Sequence, residues 1–241
     1  MRQLQNVVGV LGGMGPDATV DFMAKVIALT DADCDQDHVR MLVDHNPHVP
    51  DRQHAILGDG EDPGPVLAAM AAQLEASGAG FLVMPCNTAY VFEDDILAAT
   101  SVPLISIITE SIAAVRERAS AASSIGILAT DGCLKSCIYQ AGIEAAGMTA
   151  VLPTAGELEQ TMVLIEAIKA GRHGKAAAAG MKSLASGLVS RGADAIIAGC
   201  TEIPLVLHDG DVHVPLVSST DALALKTVKL ATGIEPLPGR Q

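Results

Sequence analysis

The sequence predicts an α/β protein made of two pseudo-symmetric halves, each with a parallel β-sheet and flanking helices. Two apolar runs each end at a cysteine, FLVMPC at Cys86 and AIIAGC at Cys200. A glycine-punctuated strand precedes each run, with Gly9 in the first half and Gly126 in the second. The segments VPLISI and VPLVSS then follow the two cysteines in the same order. Three landmarks that recur in register indicate a duplicated unit.

The composition suits layers of helices and parallel strands. The 241 residues are 49% hydrophobic but only 2% aromatic, with no Trp, so the core must consist of Ala, Val, Ile, Leu and Met. This length is enough for one large domain or two of common size. We expect a first domain of residues 1–105 with 216–241, which carries Cys86, and a second domain of residues 106–215, which carries Cys200.

The charge balance and the apolar runs exclude some classes of partner, and the cysteine content indicates the redox state of the thiols. Fifteen Lys and Arg against 28 Asp and Glu give a formal net charge of −13, and no basic run is present, so nucleic acid is not an expected partner. No apolar stretch has the length of a membrane span, and the start MRQLQN does not resemble a signal sequence, so we expect a cytoplasmic protein without a membrane partner. Five cysteines without dense spacing are expected to be reduced thiols.

The elements of the first half follow from apolar runs and from glycine and proline punctuation. Val7 to Leu11 reads as a strand, and GGMGP turns into a helix over 17–29. A second strand is predicted at 40–43, and the prolines of HNPHVPDRQ favour an extended segment up to Arg52. A helix over 62–78, the Cys86 strand, a short helix, the VPLISII strand and a helix over 109–119 complete this half.

The second half is predicted in the same way. It comprises a strand at 125–129, helices over 135–146, 157–170 and 175–190, the Cys200 strand and a last strand at 215–218. A final helix over 221–231 is expected to cross back and pack on the first half.

Two local patterns suggest ligands that we do not favour. Gly13, Gly15 and Ala18 fit a dinucleotide fingerprint, but Pro16 removes a backbone donor and no acidic strand end follows, so a nicotinamide-dependent oxidoreductase is disfavoured. A tight turn whose amides contact a small carboxylate fits better. The acidic segment DADCDQDH lacks the glycine of an EF-hand loop, so a solvated loop is preferred and no metal is expected.

The paired cysteines suggest proton transfer at carbon. If the halves pack around a pseudo-two-fold axis, equivalent strand ends face each other, and Cys86 would oppose Cys200 in the cleft between the domains. A free thiol has a pKa of about 8.5, so one thiolate and one thiol can coexist near neutral pH. Such a pair can remove a proton from one face of a carbon and deliver another to the opposite face. Cys34, Cys133 and Cys137 are instead expected to have packing roles.

Several segments spread over nearly the whole chain resemble the aspartate/glutamate racemase family. They are GVLGGMGPDAT, DCDQDH, NPHVPDRQHAILGDGEDP, MPCNTAY, GILATDG and GCTEIPL. The resemblance implies racemisation of an acidic amino acid by two bases, without pyridoxal phosphate or another cofactor, in a homodimer. It implies that Cys86 and Cys200 are the two acid/base residues and that Arg52 and Lys169 contact the side-chain carboxylate. The remaining substrate-lining positions implied by matching motifs are Met14, Asn87, Thr88, Thr130 and Thr201.

Two positions depart from the family pattern, and other reactions remain open. Tyr90 stands where family members usually have histidine, and Cys133 where they usually have threonine. Both affect the expected substrate pocket rather than the paired cysteines. The nearest rival is isomerisation of an unsaturated dicarboxylate, in which one cysteine attacks carbon. A one-cysteine decarboxylase is disfavoured because both cysteines are present, and a two-lobed binding protein because no signal peptide is seen.

Overall fold

The computed structural model describes residues 6–239, so residues 1–5 of the predicted amino-terminal segment and residues 240 and 241 lie outside the described part. The chain divides into two compact units, one with residues up to 107 and from 220 onward, the other with residues 108–219. The predicted boundary at 215/216 lies a few residues earlier, because the strand at 216–218 is hydrogen-bonded within the second sheet and stays with it.

The first unit contains a four-stranded parallel sheet. Its strands are β1 (Val8–Gly12), β2 (Met41–His45), β3 (Phe81–Val83) and β4 (Leu104–Ile105), in the order β2-β1-β3-β4. Its helices are α1 (Pro16–Leu29), α2 (Arg52–Leu57), α3 (Gly64–Ala76) and α4 (Glu93–Ala99). The next helix, α5 (Ile107–Arg118), leads into the second unit.

The second unit repeats this architecture. Its strands are β5 (Ser124–Leu128), β6 (Thr149–Val151), β7 (Ala195–Ala198) and β8 (Leu216–Ser218), all parallel, in the order β6-β5-β7-β8. Its helices are α6 (Asp131–Lys135), α7 (Ile138–Ala145), α8 (Ala155–Lys169) and α9 (Lys175–Ser190). The last helix, α10 (Ser219–Ala231), returns to the first unit, where Asp221 is paired with Lys25 at 2.8 Å.

The two sheets have equivalent strand orders, which confirms the predicted duplicated α/β fold. Glycine packing repeats as well. The strands β1 and β5 each contain one glycine that is tightly packed. A Cβ added there would press on a leucine of the helix before the next strand of the sheet, on an alanine that follows this helix, and on a residue of that next strand. These contacts are Gly9 with Leu74, Ala79 and Leu82, and Gly126 with Leu188, Ala193 and Ile196.

The core of each unit is formed by central strands buried on both faces. Every residue of β3 and of β7 is buried, as expected for parallel strands covered by helices on both sides. On α9, the buried residues Met181, Leu184 and Leu188 recur at helical spacing and join the core cluster around Ile196. No helix among residues 6–239 is long and apolar enough to cross a membrane.

Three local predictions differ from the structure. The predicted extended segment ends in a short helix, because the Asp51 carboxylate accepts hydrogen bonds from the N–H groups of Gln53 and His54 and caps α2. The predicted helix over 135–146 is split, since Cys137 adopts a left-handed conformation with φ of 59° between α6 and α7. The short edge strand β6 was not predicted at all.

Candidate active site

In the first unit, predicted site residues follow the carboxyl ends of neighbouring strands. Val10 of β1 pairs with Val83 of β3, so the segments that carry Met14 and Cys86 leave the sheet at the same edge. Ligands of open α/β sheets bind at this edge. Both side chains are buried, and Cys86 is only 6% exposed.

The glycine-rich turn after β1 is fixed by close backbone contacts. Gly13 has φ of +95°, and a Cβ there would lie 2.4 Å from the carbonyl carbon of Asn46. The Gly13 N–H donates to the Thr19 hydroxyl at 2.8 Å, and that hydroxyl donates to the Gly15 carbonyl at 3.2 Å. Thr19 therefore ties the turn to the first helical turn of α1 and sets where Met14 lies.

The segment after β3 is also compact. The Cys86 N–H donates to the Met84 carbonyl at 2.8 Å, and a 3₁₀ turn over Thr88–Phe92 follows directly. Asn87 and Thr88 are buried beside the cysteine. The structure therefore brings Met14, Cys86, Asn87 and Thr88 to one edge of the first sheet.

Tyr90 lies in the same 3₁₀ turn and links it to β4. Its buried hydroxyl donates to the Ile105 carbonyl at 2.6 Å. Burial raises the pKa of the Tyr90 phenol far above its usual value, backbone hydrogen bonds from Ile107 and Met84 oppose this rise, and the nearby acidic groups of Glu93 and Cys86 add to it. Tyr90 is therefore a neutral hydrogen-bond donor that joins the loop carrying Cys86 to the neighbouring strand.

Replacing Tyr90 by phenylalanine is expected to destabilise the protein by about 1–3 kcal/mol, because the buried Ile105 carbonyl loses its donor. Urea unfolding followed by circular dichroism measures this change. An unfolding free energy within about 0.5 kcal/mol of the unsubstituted protein would contradict the assigned role of the hydroxyl.

Arg52 is held by its own loop. It is the first residue of α2, and its Nη1 donates to the carbonyls of Val49 and Pro50, both at 3.0 Å. The side chain is half-buried. These bonds fix the orientation of the guanidinium group. The sequence had predicted that Arg52 ends an extended segment, whereas in the structure it begins a helix.

The second unit has an equivalent edge. Leu128 of β5 pairs with Ala198 of β7, so Thr130 and Cys200 follow neighbouring strands. The Thr130 side chain caps α6 by accepting a hydrogen bond from the Cys133 N–H at 3.3 Å. Thr130, Cys200 and Thr201 are all buried.

Cys200 is in direct contact with a carboxyl group. Its Sγ lies 2.9 Å from Oε2 of Glu202, and the two residues are 6% and 3% exposed. Burial raises the pKa of the Cys200 thiol well above its usual value, and the negative charge of Glu202 raises it further. The ammonium group of Lys169, at the end of α8, acts in the opposite direction. Lys169 is exposed, and its positive charge lowers the pKa of the Cys200 thiol.

Glu202 was not among the predicted site residues, although it lies two positions after Cys200 in the GCTEIPL segment. Its contact with the thiol depends on burial and rotamer, which the spacing alone does not give. Cys133 is buried, whereas Cys34 and Cys137 are exposed, and none of the five cysteines, all within the described range, forms a disulfide. Within the described 6–239 range, no group of three or more His, Cys, Asp or Glu residues is placed to hold a metal ion.

The fold is that of amino-acid racemases, a class of isomerase. The structure is similar to that of an aspartate racemase from Picrophilus torridus, with a TM-score of 0.84 and 28% sequence identity over 97% of this chain and 96% of that one. It also shares the fold of a glutamate racemase from Francisella tularensis solved with D-glutamate, with a TM-score of 0.68 and 16% identity over 99% of this chain and 86% of that one.

Sequence comparison extends this result from the fold to the family. The family model for Asp/Glu/Hydantoin racemase matches residues 11–227. The broad specificity amino-acid racemase RacX of Bacillus subtilis is 31% identical over 228 residues, which cover 92% of this chain and 96% of RacX. The chain therefore belongs to the Asp/Glu/Hydantoin racemase family, and it is a racemase, as the resemblance predicted.

Proposed function

We propose that this racemase interconverts the L and D forms of an acidic amino acid with the thiols of Cys86 and Cys200. The observation that supports this most is their equivalence. Each cysteine follows the third strand of its chain half, and that strand occupies the same position in both sheets. Both thiols are buried and are followed by buried polar residues, at the edge where α/β sheets bind ligands.

In the proposed reaction, one cysteine acts as base and the other as acid. A thiolate removes the α-proton from one face of the substrate, and the electron pair of the broken C–H bond remains on the α-carbon and its carboxylate. The second cysteine, as a thiol, then delivers its proton to the opposite face. The configuration is inverted, and the two cysteines exchange protonation states. Positioned acid and base groups of this kind contribute about 10²–10⁴-fold in rate.

The carbanion formed beside a carboxylate needs electrostatic stabilisation, which preorganised donors in a water-poor site can supply. The backbone amides of the turn after β1 and the buried hydroxyls of Thr88, Thr130 and Thr201 are candidates for this role. No pyridoxal phosphate or other cofactor is required by this scheme, because the two thiols perform both proton transfers.

An acidic substrate fits the cations assigned to the site. In the proposal, Arg52 and Lys169 contact the side-chain carboxylate, and Met14 and Asn87 line the bound substrate. The fixed guanidinium of Arg52 is suited to a carboxylate, which accepts two parallel N–H bonds. The names of the relatives, an aspartate racemase and a broad specificity racemase, favour aspartate as the first substrate to test. A homodimer and a cytoplasmic location remain predictions.

Proton NMR in D₂O tests the proposed function. L-aspartate, D-aspartate, L-glutamate and D-glutamate are incubated separately with the reduced protein without added metal or pyridoxal phosphate, and enantiomers are separated by chiral chromatography. We expect loss of the Cα–H signal together with formation of the opposite enantiomer for at least one acidic amino acid. If folded, reduced protein exchanges none of the four, the acidic substrate assignment is wrong.

A further inference from the structure

The two halves of the proposed site differ at one equivalent position. Two residues after Cys86 the chain has Thr88, whereas two residues after Cys200 it has Glu202. Both positions are buried. A neutral hydroxyl therefore accompanies the first cysteine, and a carboxyl group that contacts the thiol accompanies the second.

The proton count of the Cys200–Glu202 pair follows from their separation. With Sγ and Oε2 only 2.9 Å apart and both residues buried, a thiolate beside a carboxylate would bring two negative charges together. Such a pair retains one proton. A thiol is a much weaker acid than a carboxylic acid, so the shared proton resides on sulfur. The expected state is therefore a thiol that donates to a carboxylate.

Other charges near the pair do not cancel this effect. Oε1 of Glu202 has no hydrogen-bond partner among residues 6–239. Lys169 from α8 favours the thiolate, but it is exposed and its influence is smaller than that of Glu202. Glu202 and Lys169 thus act on the pKa of Cys200 in opposite directions, and the effect of the buried Glu202 is the larger.

We propose that Glu202 is a positioning residue that keeps Cys200 protonated in the resting enzyme, so that Cys200 starts the reaction as the proton donor and Cys86 starts it as the base. The inference rests on the proposed two-cysteine reaction. The duplicated site is then electrostatically asymmetric. The resting enzyme is ready for the enantiomer whose α-proton faces Cys86, and the other enantiomer requires the protonation states to be exchanged first.

The test is the pH dependence of Cys200 alkylation in Glu202→Gln. The full-length protein is treated with iodoacetamide from neutral to alkaline pH, and modification of each cysteine is followed by peptide mass spectrometry. Glutamine keeps the shape of the side chain but removes its charge. We expect the midpoint of the Cys200 profile to fall by about one pH unit or more, which corresponds to about tenfold faster alkylation below the midpoint.

Two comparisons separate this effect from a structural one. Better access to the thiol would raise the rate at every pH without moving the midpoint. Glu159→Gln removes the same charge from an exposed position of α8, and it is expected to leave the Cys200 profile unchanged. An unchanged midpoint in Glu202→Gln, or an equal shift in Glu159→Gln, overturns the proposal.

Turnover gives a second readout with a defined sign. Racemisation requires that the two cysteines together carry one proton. If the pKa of Cys200 is lower, this proton is lost at a lower pH, and the enzyme becomes inactive there. The alkaline limb of kcat/KM in Glu202→Gln should therefore move to lower pH, and Glu202→Asp, which keeps the charge, should restore it in part. Alkylation does not require turnover. If the Cys200 midpoint shifts in Glu202→Gln but the unsubstituted protein does not racemise any acidic amino acid, the proposed function is refuted and the coupling between the Cys200 thiol and the Glu202 carboxylate is retained.

Discussion

Replacing either Cys86 or Cys200 by serine is expected to reduce racemisation by at least about 10²–10⁴-fold, because a serine hydroxyl is far too weak an acid to alternate between proton donor and base near neutral pH. The two losses should not add in the double variant, since both residues serve one proton transfer. Chiral chromatography of aspartate incubated with each reduced, folded variant measures the rates.

The two single variants should also differ in residual isotope exchange. With Cys200 replaced, Cys86 can still exchange the α-proton of one enantiomer with retention of configuration, and with Cys86 replaced, only the opposite enantiomer should exchange. The exposed cysteines provide controls, since Cys34→Ser and Cys137→Ser should retain the full rate. Near-normal racemisation in Cys86→Ser or Cys200→Ser would refute the two-thiol reaction.

Replacing Gly13 by alanine is the second large expected effect. The new Cβ would lie 2.4 Å from the Asn46 carbonyl carbon and 2.5 Å from its oxygen, and φ is +95°. Overpacking costs about 1–3 kcal/mol and a left-handed conformation about 1–2 kcal/mol, so we expect a loss of about 2–5 kcal/mol in the free energy of unfolding. The displaced turn should also lower racemisation, because it carries Met14.

Gly58 offers a matched control for the backbone conformation. Its φ is +87°, but no atom lies within 4 Å of the position its Cβ would occupy. Gly58→Ala should therefore show only the conformational cost of about 1–2 kcal/mol. Urea unfolding followed by circular dichroism compares the two variants. Equal costs at the two positions would show that the contact with Asn46 is not responsible.

The fold was predictable because its strongest signals are local or repeated. Buried strands such as β7 are uninterrupted apolar runs, and α9 begins and ends at the residues that the sequence indicated. Because the chain is duplicated, an element predicted in one half could be checked against its counterpart in the other half. Equivalent strand order in the two sheets is the structural counterpart of the repeated landmarks.

The elements that sequence reasoning missed depend on weak or tertiary signals. β6 has three residues, none of them buried, so it has neither the length nor the apolar run of a central strand. The break between α6 and α7 occurs at Cys137, and a cysteine in the sequence does not indicate a positive φ. At α2, the prolines favoured extended chain, and the capping side chain of Asp51 started a helix directly after them.

The candidate site shows the same division. The cysteines were found because each ends a strand and each has a counterpart in the repeat. The charge relationship between Cys200 and Glu202 could not be predicted, since two residues that are close in sequence need not bring their side chains within 2.9 Å of each other. Tyr90 was noticed only as a departure from the family pattern, and its bond to Ile105 required the position of β4.

The scarcity of aromatic residues gives each half of the molecule its own optical reporter. The chain has no Trp and only two tyrosines, Tyr90 in the first unit and Tyr139 in the second. Both rings are buried, and both hydroxyls are hydrogen-bonded, to the Ile105 carbonyl and the Ser111 hydroxyl respectively. Tyrosine fluorescence of Tyr90→Phe would then report on the second unit alone, and that of Tyr139→Phe on the first, so the unfolding of each half can be followed separately without an attached dye.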